Sequence, residues 1–187
     1  MSPDPTSTEL LDGLAVIVPQ RYADDRGFFF EAYNKARFAE LTGFSGEFLQ
    51  DNQSRSTNGV LRGLHYQAEP RAQGKLVRVV NGTVFDVAVD IRRTSASLGE
   101  WFGIELSAAN GIQLWVPPGF AHGFLTLSET ADVLYKTTEI YSPEHARTIS
   151  WDDPSIGIQW PLDQVGTPIV SSGDARAKRF LDAGLLP

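Results

Sequence analysis

Short apolar segments separated by turn-favouring residues recur along most of this sequence, and they restrict the fold more than any other feature. Asn-Gly occurs at Asn81–Gly82 and at Asn110–Gly111, and Pro117–Gly119 adds a further turn signal. Asn-Gly favours tight hairpins because their central positions need positive φ. Many short strands at this spacing indicate a β-sandwich, jelly roll or barrel. The predicted strands are Gly59–Tyr66, Leu76–Val80, Val84–Ile91, Trp101–Leu106, Gln113–Val116, His122–Leu127 and Val133–Thr138.

One of these strands places two carboxylates on the same face. In Val84–Ile91 the odd positions are large and apolar, while Asp86 and Asp90 occupy even positions. Because side chains alternate along a strand, both carboxylates share one face. The strand is then either half-exposed with two solvated acids, or it lines a polar cavity inside a barrel.

A short helix is predicted near the N-terminus. Asn34 is a suitable N-cap for a helix that runs to Leu41, and Gly43 is suited to end it. Phe38 and Leu41 fall on one face of that helix.

The two ends of the chain each carry one further predicted element. Asp174–Ala183 is a second helical candidate, with Ser172 as its cap and Gly184 as its stop. At the other end, Ala15–Pro19 predicts a strand ahead of the barrel that is free to pair with a neighbour's sheet edge. We expect residues 1–12 to be flexible and residues 1–187 to form one domain.

Composition excludes several classes of function. The 187 residues carry a net charge of −7, which argues against nucleic acid as a partner. There are no cysteines, so neither a disulfide nor a thiolate metal site can form. Met1–Asp12 lacks the pattern of a secretory signal, and no segment approaches the ~20 apolar residues of a membrane span. We therefore expect a cytoplasmic protein that does not enter a membrane.

The segment Gly111–Thr126 resembles the second conserved motif of the cupin superfamily, G-x5-P-x-G-x2-H-x3-N. Four positions match, and Thr126 replaces the final Asn; the matching residues are Gly111, Pro117, Gly119 and His122. The alternative is a Pro-Gly turn before a strand that carries a buried histidine.

Many cupins bind a metal through a His-x-His pair, a glutamate and a last histidine. Here the residue two positions after His65 is Gln67, and a three-histidine site would need His145 in a turn-like segment. We therefore expect no metal, although a metal-dependent cupin oxygenase or isomerase remains an alternative.

A further set of motifs resembles the dTDP-4-dehydrorhamnose 3,5-epimerase family, in order and at compatible spacing from about residue 14 onward. The motifs are Asp25–Glu31, Gln50–Asn52, Arg62–Gln67, Gln73–Arg78, Leu134–Lys136 and Ile140–Pro143. The resemblance implies a cupin-type jelly-roll barrel with a few short helices, normally a homodimer. It also implies a dTDP-sugar substrate and no cofactor or metal.

The implied reaction inverts C3 and C5 of a dTDP-4-keto-6-deoxy sugar, one step on the route to dTDP-L-rhamnose. Proton removal beside a ketone needs a base, a donor for the enolate oxygen and an acid on the opposite face. His65, Lys75 and Tyr135 suit these three roles, and family matching assigns the same roles. It also matches Asp174 to the carboxylate that orients the base. Singly, each of the four has a plain structural alternative.

The resemblance also implies residues that bind substrate. Arg26 and Arg62 suit the pyrophosphate, because guanidinium groups bind phosphate oxygens in pairs. Tyr141 matches the aromatic residue that stacks on thymine. The other matched positions are Glu31, Gln50, Asp51, Asn52 and His122.

Two departures and two alternatives stay open. Ala146 and Gly173 replace a Glu and a Lys that are frequent in the family, near ligand contacts. The alternatives are an epimerase that inverts one carbon only, on a related sugar of secondary metabolism, and a non-catalytic carbohydrate-binding cupin.

Overall fold

The structure is a computed structural model that describes residues 10–183, and in that range it is mainly β. Twelve strands are assigned within these residues, together with one α-helix and three short 3-10 turns. The strands are β1 (Ala15–Ile17), β2 (Arg21–Asp24), β3 (Gly27–Phe30), β4 (Gln50–Thr57), β5 (Leu61–Gln67), β6 (Lys75–Asn81), β7 (Thr83–Asp90), β8 (Trp101–Ser107), β9 (Gln113–Val116), β10 (Phe120–Thr126), β11 (Thr130–Thr137) and β12 (Ala146–Thr148).

Two five-stranded antiparallel sheets form the barrel, which confirms the predicted cupin-type jelly roll. The first sheet has the order β1-β9-β6-β11-β4, and the second has the order β12-β5-β10-β7-β8. A separate hairpin pairs β2 with β3. Between the sheets lies an apolar cluster that includes Val77, Leu114, Val84 and Phe124. The fold therefore encloses its interior between two walls that come from different parts of the sequence.

The predicted hairpin turn at Asn81–Gly82 joins β6 to β7. Gly82 has φ +74°, and a Cβ at this position would collide with the carbonyl oxygen of Thr130. Glycine is thus required here both by the backbone conformation and by the close approach of the neighbouring turn.

The predicted helix is confirmed as α1 (Lys35–Thr42). The Oδ1 of Asn34 accepts a hydrogen bond from the backbone N–H of Arg37, and Gly43 ends the helix with φ +73°. Phe38 is buried against Trp115, whereas Leu41 is 57% exposed. Only one of the two apolar residues predicted for the packed face therefore lies in the core.

The predicted helix over Asp174–Ala183 is wrong. The segment contains two 3-10 turns, Asp174–Arg176 and Phe180–Asp182, with extended backbone at Ala177 between them. Lys178 forms a parallel bridge with Ile149, so a long-range contact overrides local helix propensity. Ser171, not Ser172, accepts the backbone N–H of Asp174 at 3.1 Å. Gly184 lies outside the described residues.

The predicted N-terminal strand is present but shorter, and its pairing with a neighbour's sheet stays a prediction. β1 covers Ala15–Ile17 and pairs with β9 of its own chain, because Val16 aligns with Leu114. One edge of β1 is therefore hydrogen-bonded to β9, and its other edge forms the border of the first sheet. Most of the predicted flexible segment 1–12 lies outside the described residues, but Leu11 packs partly against the interior cluster.

Strand β7 shows how alternation builds the polar interior. Val87 and Val89 point to the outer side of the second sheet, where Trp160 and Phe180 cover them. Asp86 and Asp90 are both fully buried, so the solvated alternative is wrong. Asp86 reaches His122, while Asp90 accepts hydrogen bonds from residues 92, 95 and 97 at the end of the strand.

No helix within residues 10–183 is long and apolar enough to cross a membrane.

Candidate active site

A cavity of about 360 Å³ lies between the two sheets. Strands β4, β6 and β11 contribute one wall, and β5, β10 and β12 contribute the other. The side chains that line it are mostly polar or aromatic. They are Ser54, Arg62, His65, Tyr66, Gln67, Gln73, Lys75, His122, Phe124, Tyr135, Tyr141, Ala146, Arg147 and Thr148.

His65 and Asp174 form a hydrogen-bonded pair at this cavity. Nε2 of His65 lies 2.7 Å from Oδ1 of Asp174, whose side chain is only 7% exposed. Burial opposes ionisation of Asp174, but the hydrogen bond from His65 and further donors outweigh it and lower the pKa of this carboxyl. An ionised partner at Nε2 keeps the proton there, so Nδ1 of the neutral ring carries the free electron pair of a base.

Lys75 lies at the start of β6 and is buried. Its Nζ donates a hydrogen bond to the backbone oxygen of His65 at 3.0 Å. Burial lowers the pKa of Lys75 to about 8, and the negative charge of Asp86 partly opposes this shift. An ammonium carries three N–H donors, and one of those on Lys75 is used in this bond. The other donors of this cation, which lies next to His65, can bind a ligand oxygen.

Tyr135 lines the cavity from the opposite sheet to His65. Burial raises the pKa of the Tyr135 phenol, and the charge of Arg62 opposes this only in part. The hydroxyl therefore remains protonated near neutral pH and can serve as a donor.

Three of the predicted binding residues lie in the same cavity. His122, opposite His65 in the strand register, approaches both carboxylate oxygens of Asp86, at 2.9 and 3.0 Å. Arg62 is held by the hydroxyl of Ser56 at 3.0 Å. Tyr141 is 58% exposed. A cation, an imidazole and a free aromatic face are thus placed around one space.

The Gln50–Asn52 triplet does not line this cavity. Gln50 instead supports it, since its Oε1 accepts the backbone N–H of Tyr141 at 2.9 Å and its Nε2 donates to Asn52. The side chain of Asp51 lies on the opposite face of β4 from Gln50, because side chains alternate along a strand, and it forms an ion pair with Lys136 at 2.9 Å.

Arg26 and Glu31 are also outside the cavity. Arg26 lies at the turn of the β2–β3 hairpin, where its side chain is 90% exposed and pairs with Asp24. Glu31 follows the hairpin and accepts a hydrogen bond from the side chain of Asn34. A single copy of the chain does not bring these two residues to His65.

Several lining residues were not predicted. Gln67 and Gln73 contribute buried or half-buried amides, and Ser54 contributes a hydroxyl oxygen that has no hydrogen-bond partner. For Gln67 the signal was available, because it stands two positions after His65 and so shares its face of β5. Of the two departures from the family pattern, Ala146 lines the cavity, and Gly173 directly precedes Asp174.

Among the described residues, no group of three or more His, Asp or Glu side chains is arranged to hold a metal ion. His65 and His122 are each paired with a single carboxylate instead.

Comparison with known proteins agrees with this arrangement. A family model described as dTDP-4-dehydrorhamnose 3,5-epimerase matches residues 8–182. An enzyme of that name from Pseudomonas aeruginosa is 55% identical over 169 residues, covering 90% of this chain and 92% of the relative.

Two solved structures have the same fold. A dTDP-6-deoxy-D-glucose-3,5-epimerase from Legionella pneumophila, in complex with dTDP-4-keto-L-rhamnose, is 49% identical with a TM-score of 0.88, covering 92% of this chain and 90% of its own. A 3'-monoepimerase from Streptomyces bikiniensis, in complex with dTDP-quinovose, has the same TM-score at 29% identity, with 94% and 90% covered. From the match over nearly its whole length, the chain belongs to the dTDP-4-dehydrorhamnose 3,5-epimerase family and is a carbohydrate epimerase.

Proposed function

We propose that this protein converts dTDP-4-dehydro-6-deoxy-D-glucose to dTDP-4-dehydro-L-rhamnose by inverting C3 and C5. The observation that carries the proposal is the placement of His65 and Tyr135 on opposite walls of one cavity. A sugar ring bound between the two sheets would present one face to a base and the other face to an acid. Inversion of a carbon requires that geometry.

The reaction follows from the three groups. His65 takes the proton from the carbon beside the ketone, the electron pair of that C–H bond forms a double bond to C4, and the π electron pair of the ketone moves onto the C4 oxygen. Lys75 stabilises the resulting enolate oxygen by its charge and hydrogen bonds. Tyr135 then returns a proton to the opposite face of the carbon, which restores the ketone. The imidazolium and phenolate exchange protons with water after each inversion, which restores the base and the acid before the next carbon is deprotonated.

One set of groups can serve both carbons. C3 and C5 are both neighbours of the C4 ketone, so each deprotonation places the negative charge on the same oxygen. Lys75 therefore has one oxygen to stabilise, and only the carbon presented to His65 changes between the two steps.

The charged and aromatic groups at the cavity support a nucleoside diphosphate as the part of the substrate that is attached to the sugar. Arg62 provides a guanidinium for the phosphate oxygens, and the exposed ring of Tyr141 provides a face on which thymine can stack. His122 is held by Asp86 and is available to a sugar or phosphate oxygen.

The closest competing function is inversion of a single carbon, since the same base and acid would serve it. Double specificity is supported because the 3,5-epimerases from Pseudomonas and Legionella are 55% and 49% identical to the chain, and the monoepimerase is 29% identical. Proton NMR of product formed from dTDP-4-keto-6-deoxyglucose in D2O tests this directly. We expect deuterium and inverted configuration at both carbons; exchange at one carbon alone would establish the monoepimerase.

The lowered pKa of Lys75 predicts a pH dependence. Stabilisation of the enolate needs the charged ammonium, which is lost as the pH rises through about 8. We expect kcat/KM to fall above that pH, by up to about tenfold per pH unit. Tyr135 deprotonates later, because burial raises the pKa of its phenol.

The Lys75→Arg variant tests whether Lys75 causes this fall in kcat/KM at high pH. Its guanidinium stays charged throughout the accessible range, so its residual activity should show no fall near pH 8. The same fall in Lys75→Arg would mean that another group titrates there.

We also propose a homodimer in which the β2–β3 hairpin of one copy reaches the cavity of the other. Tyr22, Phe28 and Phe29 on this hairpin are all more than half exposed, an unusual apolar surface for a monomer. Arg26 lies at its tip and outside its own cavity, although the family resemblance places it at the nucleotide. Docking of this hairpin onto a second copy would bury the aromatic residues and bring Arg26 to a phosphate of the substrate bound there.

Subunit mixing tests that arrangement. Arg26→Ala should lower kcat/KM by about 10- to 100-fold if it removes a charged phosphate contact. Co-refolding it with the inactive His65→Asn variant should restore about a quarter of wild-type activity, since half of the dimers then hold one complete site.

The matched control mixes His65→Asn with Asp174→Asn, two residues of the same subunit's cavity. This pair should give no recovery. Failure of the Arg26 pair to recover, or a monomer in sedimentation at working concentration, would contradict the proposed exchange.

We place the enzyme in the cytoplasm, in dTDP-L-rhamnose biosynthesis. The absence of cysteine is consistent with that compartment. Rhamnose from this route would supply lipopolysaccharide or another cell-surface polysaccharide, or a secondary metabolite. Deletion of the gene, followed by sugar analysis of the cell surface, distinguishes the two destinations.

A further inference from the structure

We infer that Gln67 is a positioning residue that holds Tyr141 as a preformed stacking surface for the base of the nucleotide. The inference rests on the proposed nucleotide site and extends it to a residue that does not itself stack on the ligand. Gln67 ends strand β5, is 3% exposed and lines the cavity.

The side-chain amide of Gln67 holds the backbone on both sides of Tyr141. Its Oε1 accepts the backbone N–H of Ser142 at 2.7 Å, and its Nε2 donates to the backbone oxygen of Ile140 at 3.3 Å. The first group belongs to the peptide after Tyr141 and the second to the peptide before it. One buried amide therefore restricts both backbone dihedral angles of this residue.

Neighbouring contacts reinforce this segment. Gln50 accepts the N–H of Tyr141 at 2.9 Å, and Gln73 donates to the oxygen of Glu139 at 2.6 Å. Gln67 also donates to the backbone oxygen of Arg71 at 2.8 Å. The backbone of residues 139–142 is thus tied to side chains from β4, β5 and the segment before β6.

This attachment has a consequence for binding because the ring of Tyr141 is 58% exposed. An exposed aromatic residue on a free loop loses conformational entropy when a ligand orders it, and that loss weakens binding. A backbone that is already fixed avoids much of this cost. The role should therefore affect affinity for the nucleotide and leave the proton-transfer groups unchanged.

Only an amide satisfies all three partners. Two of them are carbonyl oxygens and need a donor, and the third is an N–H and needs an acceptor. Methionine has a similar length and supplies neither. Ionised glutamate keeps the acceptor but turns negative charge toward two carbonyl oxygens.

The first test is calorimetric titration of Gln67→Met with dTDP. Loss of base stacking generally costs about 5- to 150-fold in affinity, so Tyr141→Ala sets the upper limit. We expect Gln67→Met to raise the Kd for dTDP by about 5- to 20-fold, with kcat within about threefold of wild type. Gln159→Met is the matched control, because Gln159 donates to the backbone oxygen of Gly157 outside the cavity; its Kd should not change.

The double variant separates positioning from a general loss of structure. If Gln67 acts through Tyr141, Gln67→Met should add no further loss when Tyr141 is already Ala. An undiminished loss in that background, or a fall in kcat as large as the rise in Kd, would overturn the inference. If Tyr141→Ala leaves the Kd unchanged, the proposed nucleotide site is wrong as well; if only Gln67→Met leaves it unchanged, the inference alone fails.

Gln67→Glu keeps the inference testable should the methionine variant not fold. A protonated glutamic acid has one donor and one acceptor and can satisfy two of the three partners, so its dTDP affinity relative to wild type should recover in part as the pH is lowered. The ratio to wild type cancels titration of Glu139 and His145, which adjoin the segment. A ratio that does not change with pH would overturn the inference.

Discussion

Replacing His65 with Asn is expected to lower kcat by about 10³-fold or more, because general bases contribute up to about 10⁴-fold to proton transfer. Asparagine is smaller than histidine and is not basic, and Asp174 keeps hydrogen bonds from the side chain of Ser171 and the backbone of Gly63 when the 2.7 Å contact with Nε2 of His65 is lost. The substitution therefore removes the base with little disturbance of the cavity. Exchange of the C3 and C5 protons with D2O should disappear together with inversion.

Two measurements distinguish loss of the base from loss of the fold. The Kd for dTDP should stay near the wild-type value, since His65 faces the sugar and not the nucleotide in the proposed complex. The thermal unfolding midpoint should shift by only a few degrees. Exchange in His65→Asn at the wild-type rate would mean that His65 is not the base, whereas wild-type protein that binds dTDP without catalysing exchange would support the non-catalytic carbohydrate-binding alternative.

Sequence reasoning succeeded where local chemistry decides the structure. Helix α1 is capped by Asn34 at its start and by Gly43 at its end, as predicted, and Asn81–Gly82 forms the turn between β6 and β7. Alternation along β7 predicted a shared face for Asp86 and Asp90, and the burial of both selects the polar cavity over the solvated alternative. In each case the relevant information lies within a few residues.

It failed where contacts distant in sequence decide the structure. The C-terminal helix was wrong because Lys178 bridges to Ile149, and the pairing of β1 with β9 of its own chain was not predicted. The contact between Gln67 and Ile140 spans 73 positions. No periodicity within one segment reports such a contact, so the support of Tyr141 is visible only in the folded chain.

The position of the catalytic candidates shows the same division. The resemblance proposed His65, Lys75, Tyr135 and Asp174 together, and the structure brings all four to one cavity or its border. Which wall each side chain occupies depends on sheet order, with β5 in one sheet and β6 and β11 in the other. His65 and Tyr135 can act as base and acid on opposite faces of a sugar because they lie on different sheets.

Replacing Tyr135 with Phe is expected to separate proton removal from inversion. His65, Asp174 and Lys75 remain in place, so the enolate still forms and can recover a proton from His65 on the original face. Return of a proton to the opposite face loses its donor. We expect product formation to fall by about 10²- to 10³-fold, while exchange of substrate protons with D2O falls far less.

The ratio of exchange to inversion is therefore the decisive measurement, because a collapsed cavity would lower both rates equally. Tyr33→Phe is the matched control: this tyrosine packs against Phe38 and Phe48 on the outer side of the first sheet, at 5.7 and 5.3 Å between ring centres. It should leave the ratio unchanged. If Tyr135→Phe lowers exchange and inversion by the same factor while its Kd for dTDP stays at the wild-type value, Tyr135 does not supply the proton, and another donor at the cavity must do so. A raised ratio would establish that the two sheets act on opposite faces of the sugar, as the placement of His65 and Tyr135 requires.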